Sequence, residues 1–582
     1  MQLSACPLDC YDACAVVVDR ESLKMTGSPN HPFTNGALCV HLNRHMKEAP
    51  RIQKPRIDGQ EVSLQEALEA TAEAIASAGE DFLLYRGSGN VGYMQRITEL
   101  FVHAHGGWTT EGSLCDGAGQ AGVAAGRGVS LALTPETIAA AETVVVWGRN
   151  VSVTDPHMMR LLEGKTLVVI DPVKTKIAKM ADLHLQIRPR SDFYLAMLLG
   201  RFAFMEEMDD QDFMDDRCED ADWFYDFLRT FKVVDSLKHC DMTLDDLGDL
   251  LLAMLHKKTV FLVGTGVQKY TIGDQVLRAI DGAAAVMGMF GKQGCGVSFL
   301  ADSMAGFSDP IPTSPKRVAK PIAPFGRFKT VLVQGGNPLA QMPGLARVEE
   351  EMAKVDDLIY FGLYENETSS KARIVLPAQD FLEKEDLRLS YGHPYVQPMP
   401  KIKEADFGVS EYELTRFLME RFGYEGLMPA RHYIDVMLEQ CRKEGEWYRS
   451  PAYDEEPYVT SFATESGRFE FIDEFEDDFD PEEEGLWLLT PKSPHSLNSQ
   501  FRREEEVWLH PCHGFAERER IKLSSDYGEV TLPVRLSDDL RPDCVLVYAG
   551  TPGVNYLTPP IQSLEGKNAC YQEVKVKLEK IS

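Results

Sequence analysis

Four thiols crowd the start of the chain: Cys6, Cys10, Cys14 and Cys39, spaced Cys-x3-Cys-x3-Cys-x24-Cys. Three fall on one tight loop and the fourth comes from a separate turn, the donor set that holds a cubane iron–sulfur cluster. Zinc also accepts four thiolates, but zinc ribbons usually pair two short knuckles instead of a triplet and a single residue. Packing as ordinary core cysteines is the third reading. Pro7 and Gly36 suit the ligand loops, because proline fixes φ and glycine tolerates close backbone approach. Among the other cysteines, Cys218, Cys240, Cys295, Cys441, Cys512, Cys544 and Cys570 have no comparable spacing and read as packing residues.

Positioning these thiols takes a large scaffold. The 582 residues predict about four domains or subdomains at roughly 150 residues each. With 44% apolar and 26% charged residues the chain is globular, which excludes disordered and fibrous classes. A net charge of −30 opposes partners gripped through phosphates, so nucleic acids and anionic lipid surfaces are excluded. No run approaches the ~20 apolar residues of a membrane span, so no direct membrane insertion is expected. The opening residues carry neither a basic n-region nor twin arginines, and a cytoplasmic protein with reduced thiols is the expectation.

A helical pattern from Leu64 leads into the apolar run Phe82-Leu83-Leu84-Tyr85. Similar runs recur at 144–147, 167–170, 261–263 and 331–333, each closed by Gly, Asn, Asp or Pro. Helical stretches between them predict an α/β architecture with parallel sheets and ligands at the strands' carboxyl ends. The acidic stretch from Met205 to Leu251 reads as a solvated helical face, with docking of a basic electron carrier as the alternative. Glu470 to Glu484 reads as a linker, and the β-rich segment from Leu486 onward as a separate barrel.

The run CPLDCYDAC, followed by HPFTNGALC, resembles the N-terminal cluster lobe of the molybdopterin oxidoreductases of the dimethyl sulfoxide reductase family. VVVWGRNVSVTDP and VVIDPVKTKIAKMADLHLQIRPRSD are similar to that family's first dinucleotide-binding stretch, and GTGVQKYTIGDQVLRAIDG and VLVQGGNPLAQMP to its next elements. ENETSSKARIVLPAQDFLEKEDLRLSYGH resembles the segment passing under the pterin. LLTPKSPHSLNSQF and GVNYLTP resemble the C-terminal double-psi barrel. The resemblance spans almost the whole chain.

It implies an iron–sulfur lobe at 1–52 and two doubly wound dinucleotide-binding-like α/β domains, one discontinuous (53–115 and 301–470), the other at 116–300. A barrel at 485–582 would complete the chain. It also implies one 4Fe–4S cluster and molybdenum or tungsten on a bis-molybdopterin guanine dinucleotide. Such a long anion needs backbone amides for its phosphates and carboxylates for its guanine donors, the latter suited to Asp171 and Asp192. The matched contact positions are Gly148, Asn150, Asp171, Asp192, Gly264, Gly266, Asn337, Thr368, His495 and Asn555. His41 stands where many members place a lysine between cluster and pterin.

In this family one protein atom binds the metal, and the corresponding segment here offers Cys115 in a glycine-rich turn. The resemblance makes Cys115 the metal ligand, a soft thiolate suited to such a centre. Asp116 beside it is a candidate proton relay or a helix cap. Formate dehydrogenases carry His at that position, so oxygen-atom or sulfur-compound redox on a small substrate is expected in preference to formate. The family's Gly-Thr-Asp is Arg190-Ser191-Asp192 here, which keeps the acid and crowds the turn. With no second cluster or flavin motif visible, an external electron donor or acceptor protein is implied. Two alternatives stand beside this reading. One is a non-redox lyase like acetylene hydratase, whose important acid follows the second cluster cysteine, where this chain has Tyr11 between Asp9 and Asp12. The other is a metal-free electron-transfer or structural subunit, against which the retained Cys115 argues.

Overall fold

The computed structural model describes residues 1–47, 50–89, 91–453, 456–475, 477 and 484–581. The apolar runs form two largely parallel sheets. In the first, Phe82–Arg86, Thr330–Gln334, Asp357–Gly362 and Ile374–Pro377 lie side by side in parallel. The short strands Arg56–Ile57 and Gln60–Glu61 extend it antiparallel at one edge. In the second, five parallel strands follow the order Leu183–Leu185, Thr166–Ile170, Thr143–Trp147, Thr259–Val263, Gly296–Ser298. The second sheet is made entirely from chain lying between Phe82–Arg86 and Thr330–Gln334, so the first is discontinuous in sequence.

Both faces of each sheet are covered, which is why the sequence shows unbroken apolar runs instead of alternation. Val145, Trp147, Phe261 and Val263 join one core, whereas Val144, Val146, Val260 and Leu262 join another on the opposite face. The first sheet divides likewise, with Phe82 and Leu84 in one core and Leu83 and Tyr85 in another. The helix Leu64–Ala78, which packs on that sheet, opens with a capping box between Ser63 and Glu66.

In the second sheet chain order reverses between Thr143–Trp147 and Thr259–Val263. Growth runs outward through Thr166–Ile170 on one side and through Gly296–Ser298 on the other. A crevice at such a switch point is where open α/β sheets bind ligands. Gly148 and Gly264 stand at its two lips, and Gly264 and Gly266 donate to the Trp147 and Gly148 carbonyls at 2.8 and 3.2 Å.

The acidic stretch folds into the helices Gln211–Arg217, Ala221–Thr230, Val233–Cys240 and Leu244–Met254. Phe213, Phe224, Leu228 and Leu247 enter the core, while Asp212, Asp215, Asp216, Asp222 and Asp226 face solvent. The linker expected at 470–484 is corrected for its first part. Phe471 stacks on Phe224 with ring centres 4.0 Å apart and Phe475 on Phe193 at 3.7 Å, because both aromatics bury on the same core. Residues 476 and 478–483 of that stretch lie outside the described residues. The C-terminal segment closes into a six-stranded barrel in the order Leu486–Leu489, Cys544–Leu546, Val507–Leu509, Gly528–Leu536, Arg520–Ser525, Lys575–Lys580, filled by Leu488, Leu523, Val534, Val545 and Val576.

Candidate active site

Gln2–Ala5 pairs antiparallel with Ala15–Val18, and the Cys6 amide donates to the Cys14 carbonyl at 2.8 Å, so the cysteine loop is pinched at its base. Cys6, Cys10, Cys14 and Cys39 together line one wall of a cavity of about 900 Å³. All are free thiols. Burial, with the Cys39 charge adding, pushes Cys6 up to about 12. Burial first, then the charges of Asp12 and the neighbouring thiols, hold Cys10 and Cys14 well above their ordinary value. Thiols so placed become thiolates only with a metal, and this donor set fits an iron–sulfur cluster. The sequence did not single out His157. Its Nδ1 lies 4.0 Å from Cys14 Sγ and pairs with Asp12, and the ligand atoms of Asp12, Cys14 and His157 lie within 4.8 Å of one another.

A second cavity of about 440 Å³ opens beside the first, and Cys115 lines both. Asp9, Thr265, Lys269 and Lys492 are also common to the two walls. Burial and the Asp116 charge push the Cys115 thiol up to about 12, and the Lys492 ammonium works against them. Burial and the Lys492 charge bring Lys269 down to about 8, while its ammonium donates to the Thr490 carbonyl at 2.8 Å. Asp9 accepts from the Tyr391 hydroxyl at 3.1 Å and the Asn498 amide at 3.4 Å. Lys269 and Lys492 carried no signal beyond their residue type in the sequence, and Asp9 only its place beside the second cluster cysteine.

The first cavity also gathers His41, Gly148, Asn150, Asp171, Asp192, Gly264 and Gly266. Burial raises Asp171 to about 7 against the Val173 amide, which it accepts at 2.8 Å, and the Asp192 charge adds to the rise. Burial raises Asp192 to about 6, although it accepts from the Trp147 indole at 2.7 Å. Two neighbouring carboxyls held this high suit a ligand that brings N–H donors. His41 Nδ1 and Trp508 Nε1 on the same wall are buried without a hydrogen-bond partner among the described residues, which fits a polar ligand.

The second cavity holds Asn337 and Asn555 beside the glycine turns 87–89 and 335–336. Thr368 lines neither cavity. It is fully buried, and its hydroxyl donates to Asn337 Oδ1 at 2.9 Å, so it orients Asn337. His495 also lies off both walls, its ring half-exposed and 3.6 Å from Glu504. Asp116 is likewise outside them. Its carboxylate accepts from Ser113 Oγ and Gln120 Nε2, both at 2.9 Å, and burial raises its pKa. It precedes the helix Gly117–Arg127 without making a side-chain cap bond. Of the cysteines expected to pack, Cys218, Cys240, Cys544 and Cys570 are buried and Cys295 and Cys441 half-buried. Cys512 is exposed on the short turn Pro511–His513, which has no core beneath it, and corrects that expectation.

Residues 51–405 match the family model for molybdopterin oxidoreductase, and residues 486–574 match that for the molybdopterin dinucleotide binding domain. Two probable oxidoreductases of Bacillus subtilis are similar. YyaE is 27% identical over 80% of this chain and 77% of its own, and YoaE is 24% identical over 99% and 98%. Acetylene hydratase from Pelobacter acetylenicus shares the fold with a TM-score of 0.81 at 16% identity, covering all of both chains. The family model runs through most of both sheets and the binding-domain model through most of the barrel, and the chain accordingly belongs to the molybdopterin oxidoreductase family, enzymes of the dimethyl sulfoxide reductase type.

Proposed function

We propose that the protein is a molybdenum- or tungsten-dependent oxidoreductase carrying one 4Fe–4S cluster and a bis-molybdopterin guanine dinucleotide, for oxygen-atom or sulfur-compound redox on a small substrate in preference to formate. The observation that carries this reading is the meeting of two cavities at Cys115, one of them walled by the four N-terminal thiols. Two long ligand arms converging on one metal need that arrangement.

When bound, the metal would supply two-electron chemistry and the cluster one-electron exchange with a partner, in either direction. Cys6, Cys10, Cys14 and Cys39 would hold the cluster and Cys115 the metal. Asp171 and Asp192, on the wall of the first cavity, would accept from guanine. Asn337, held by Thr368, and Asn555 would serve the arm in the second. Lys269 and Lys492 place positive charge on the walls shared by the two cavities beside Cys115 and would offset the charge of an anionic ligand there. Leu489, Pro491, Leu546 and Tyr548 of the barrel segment wall the first cavity and would keep water out. An external electron-transfer protein and a cytoplasmic location belong to the same proposal; among the described residues no helix is long and apolar enough to cross a membrane.

A second reading is favoured by one residue. Asp9, not Tyr11, lines both cavities beside Cys115, so an acid does stand near the metal position as a non-redox hydratase would need. Metal and pterin analysis of anaerobically purified protein tests the proposal, with about four irons and one molybdenum or tungsten per chain expected. Iron without either heavy metal, in cells competent to make the cofactor, would overturn it, and so would zinc alone. Turnover with a redox dye, as against acetylene hydration without one, separates the two readings.

A further inference from the structure

The backbone of Cys115 belongs to neither a strand nor a helix, and side chains hold it at both ends. Its N–H donates to Ser113 Oγ at 2.9 Å. Its carbonyl accepts from Gln268 Nε2 at 2.6 Å. The other end of the same amide, Gln268 Oε1, accepts from the Gly119 N–H at 2.8 Å. Gly119 lies in the first turn of the helix Gly117–Arg127, where amides have no intrahelical partner. Asp116, at the cap position, makes no cap bond, so Gln268 supplies the missing acceptor from 149 residues away.

Gln268 is itself fixed. It is fully buried and ends the turn Thr265–Gln268, which follows directly on Gly264 at the lip of the switch-point crevice. Its backbone lies so close to Gly273 that a Cβ there would stand 2.9 Å from the Gln268 Cα. A buried amide bonded at both ends cannot rotate without leaving a polar group unpaired. The turn Thr265–Gln268 therefore has a rigid connection to Cys115.

We propose that Gln268 is a positioning residue for the Cys115 thiol, clamping the metal-ligand loop to the glycine turn that lines the first cavity. The inference rests on the reading of Cys115 as metal ligand. Glutamine offers both a donor and an acceptor at this length without having to hold a proton. Gln268→Glu keeps the bond to Gly119 but turns a carboxylate oxygen toward the Cys115 carbonyl, and Gln268→Met removes both bonds at similar volume.

The test uses the full-length chain made in cells lacking the pterin cofactor, with iodoacetamide alkylation followed at each cysteine by mass spectrometry. Both variants should alkylate at Cys115 about tenfold faster than wild type or more, with the buried Cys218 and Cys240 unchanged. In cofactor-loaded protein, X-ray absorption at the metal edge should show a disordered or lost protein sulfur, and kcat should fall with KM held. Wild-type alkylation at Cys115 in both variants would overturn the clamp. So would equal acceleration at Cys218 and Cys240, which marks general loosening. Cys115→Ser protein that keeps its metal, its edge spectrum and full turnover would refute the ligand reading instead, while the alkylation rates still judge the clamp.

Discussion

Replacing Asp171 with Asn in cofactor-free protein should stabilise the fold while weakening guanine nucleotide binding, and the two effects should share one pH window. Burial, with the Asp192 charge adding, raises the Asp171 carboxyl from 3.8 to about 7. The folded chain thus keeps a proton that the unfolded chain releases, so stability falls as pH rises from about 4 and levels off above about 7. At about 1.4 kcal/mol per pH unit the full penalty is about 4 kcal/mol above pH 7, and less than half of that at pH 5. Asn keeps the acceptor for the Val173 amide and carries no charge, so the gain from Asp171→Asn should be about 3 kcal/mol larger at pH 8 than at pH 5. In thermal unfolding that difference corresponds to about 6–12 °C for a cooperative unit of roughly 150–250 residues.

GDP serves as the ligand probe. Wild-type affinity should rise with pH up to about 7 as the carboxylate forms, and Asp171→Asn should lose about tenfold or more with no such rise. Parallel stability curves for the two proteins between pH 5 and pH 8 would refute the assignment of a ligand-awaiting charge to Asp171, and so would undiminished GDP binding.

Cys115→Ser should leave iron content and far-ultraviolet circular dichroism unchanged but abolish dye-linked turnover; activity at the wild-type level would remove Cys115 from the metal. Gly148 has φ +57, and an added Cβ would stand 2.5 Å from Val267 Cγ1. Gly148→Ala should therefore cost about 2 kcal/mol or more in urea unfolding and lower the bound guanine content. Thr368→Val removes the hydroxyl that orients Asn337, and should cost about 1–2 kcal/mol with loss of bound pterin but not of iron.

The sheets were legible at five strands because both faces are covered there, so Phe82–Arg86, Thr143–Trp147, Thr166–Ile170, Thr259–Val263 and Thr330–Gln334 read as apolar runs ended by turn residues, whereas edge strands such as Gln60–Glu61 and Leu183–Leu185 carry no such run. The cysteine lobe was legible because its three loop thiols lie within nine residues of chain, and the glycine turns because strand ends are where chains must reverse. The barrel showed only as a succession of short β patterns, and its closure depends on pairings such as Ile521 with Lys580 that no local pattern reports. Arg190 is more instructive. The sequence suggested a crowded turn, and the residue does take φ +69. What holds it there is a pair of ionic contacts, a buried one to Glu573 at 2.6 Å and a half-buried one to Asp477 at 2.5 Å, from chain 383 and 287 residues away. A side chain with that many partners tolerates a backbone conformation that costs about 1–2 kcal/mol.

Asp116 and Gln268 show why adjacency in sequence misleads at such a site. Asp116 touches Cys115 covalently and was the natural candidate for chemistry beside it, yet its carboxylate oxygens accept from Ser113 and Gln120 and the residue lines neither cavity. Asp9 and Gln268 lie far away in the chain. One lines both cavities next to Cys115, and the other holds its carbonyl. A thiol that would meet a ligand arriving along two cavities has to be fixed from the elements that wall those cavities as well as from its own loop. The residues that fix it are therefore contributed by whichever elements form the walls. For the same reason substitutions in the turn Thr265–Gln268 should disturb the Cys115 centre more than substitutions at its immediate neighbour Asp116.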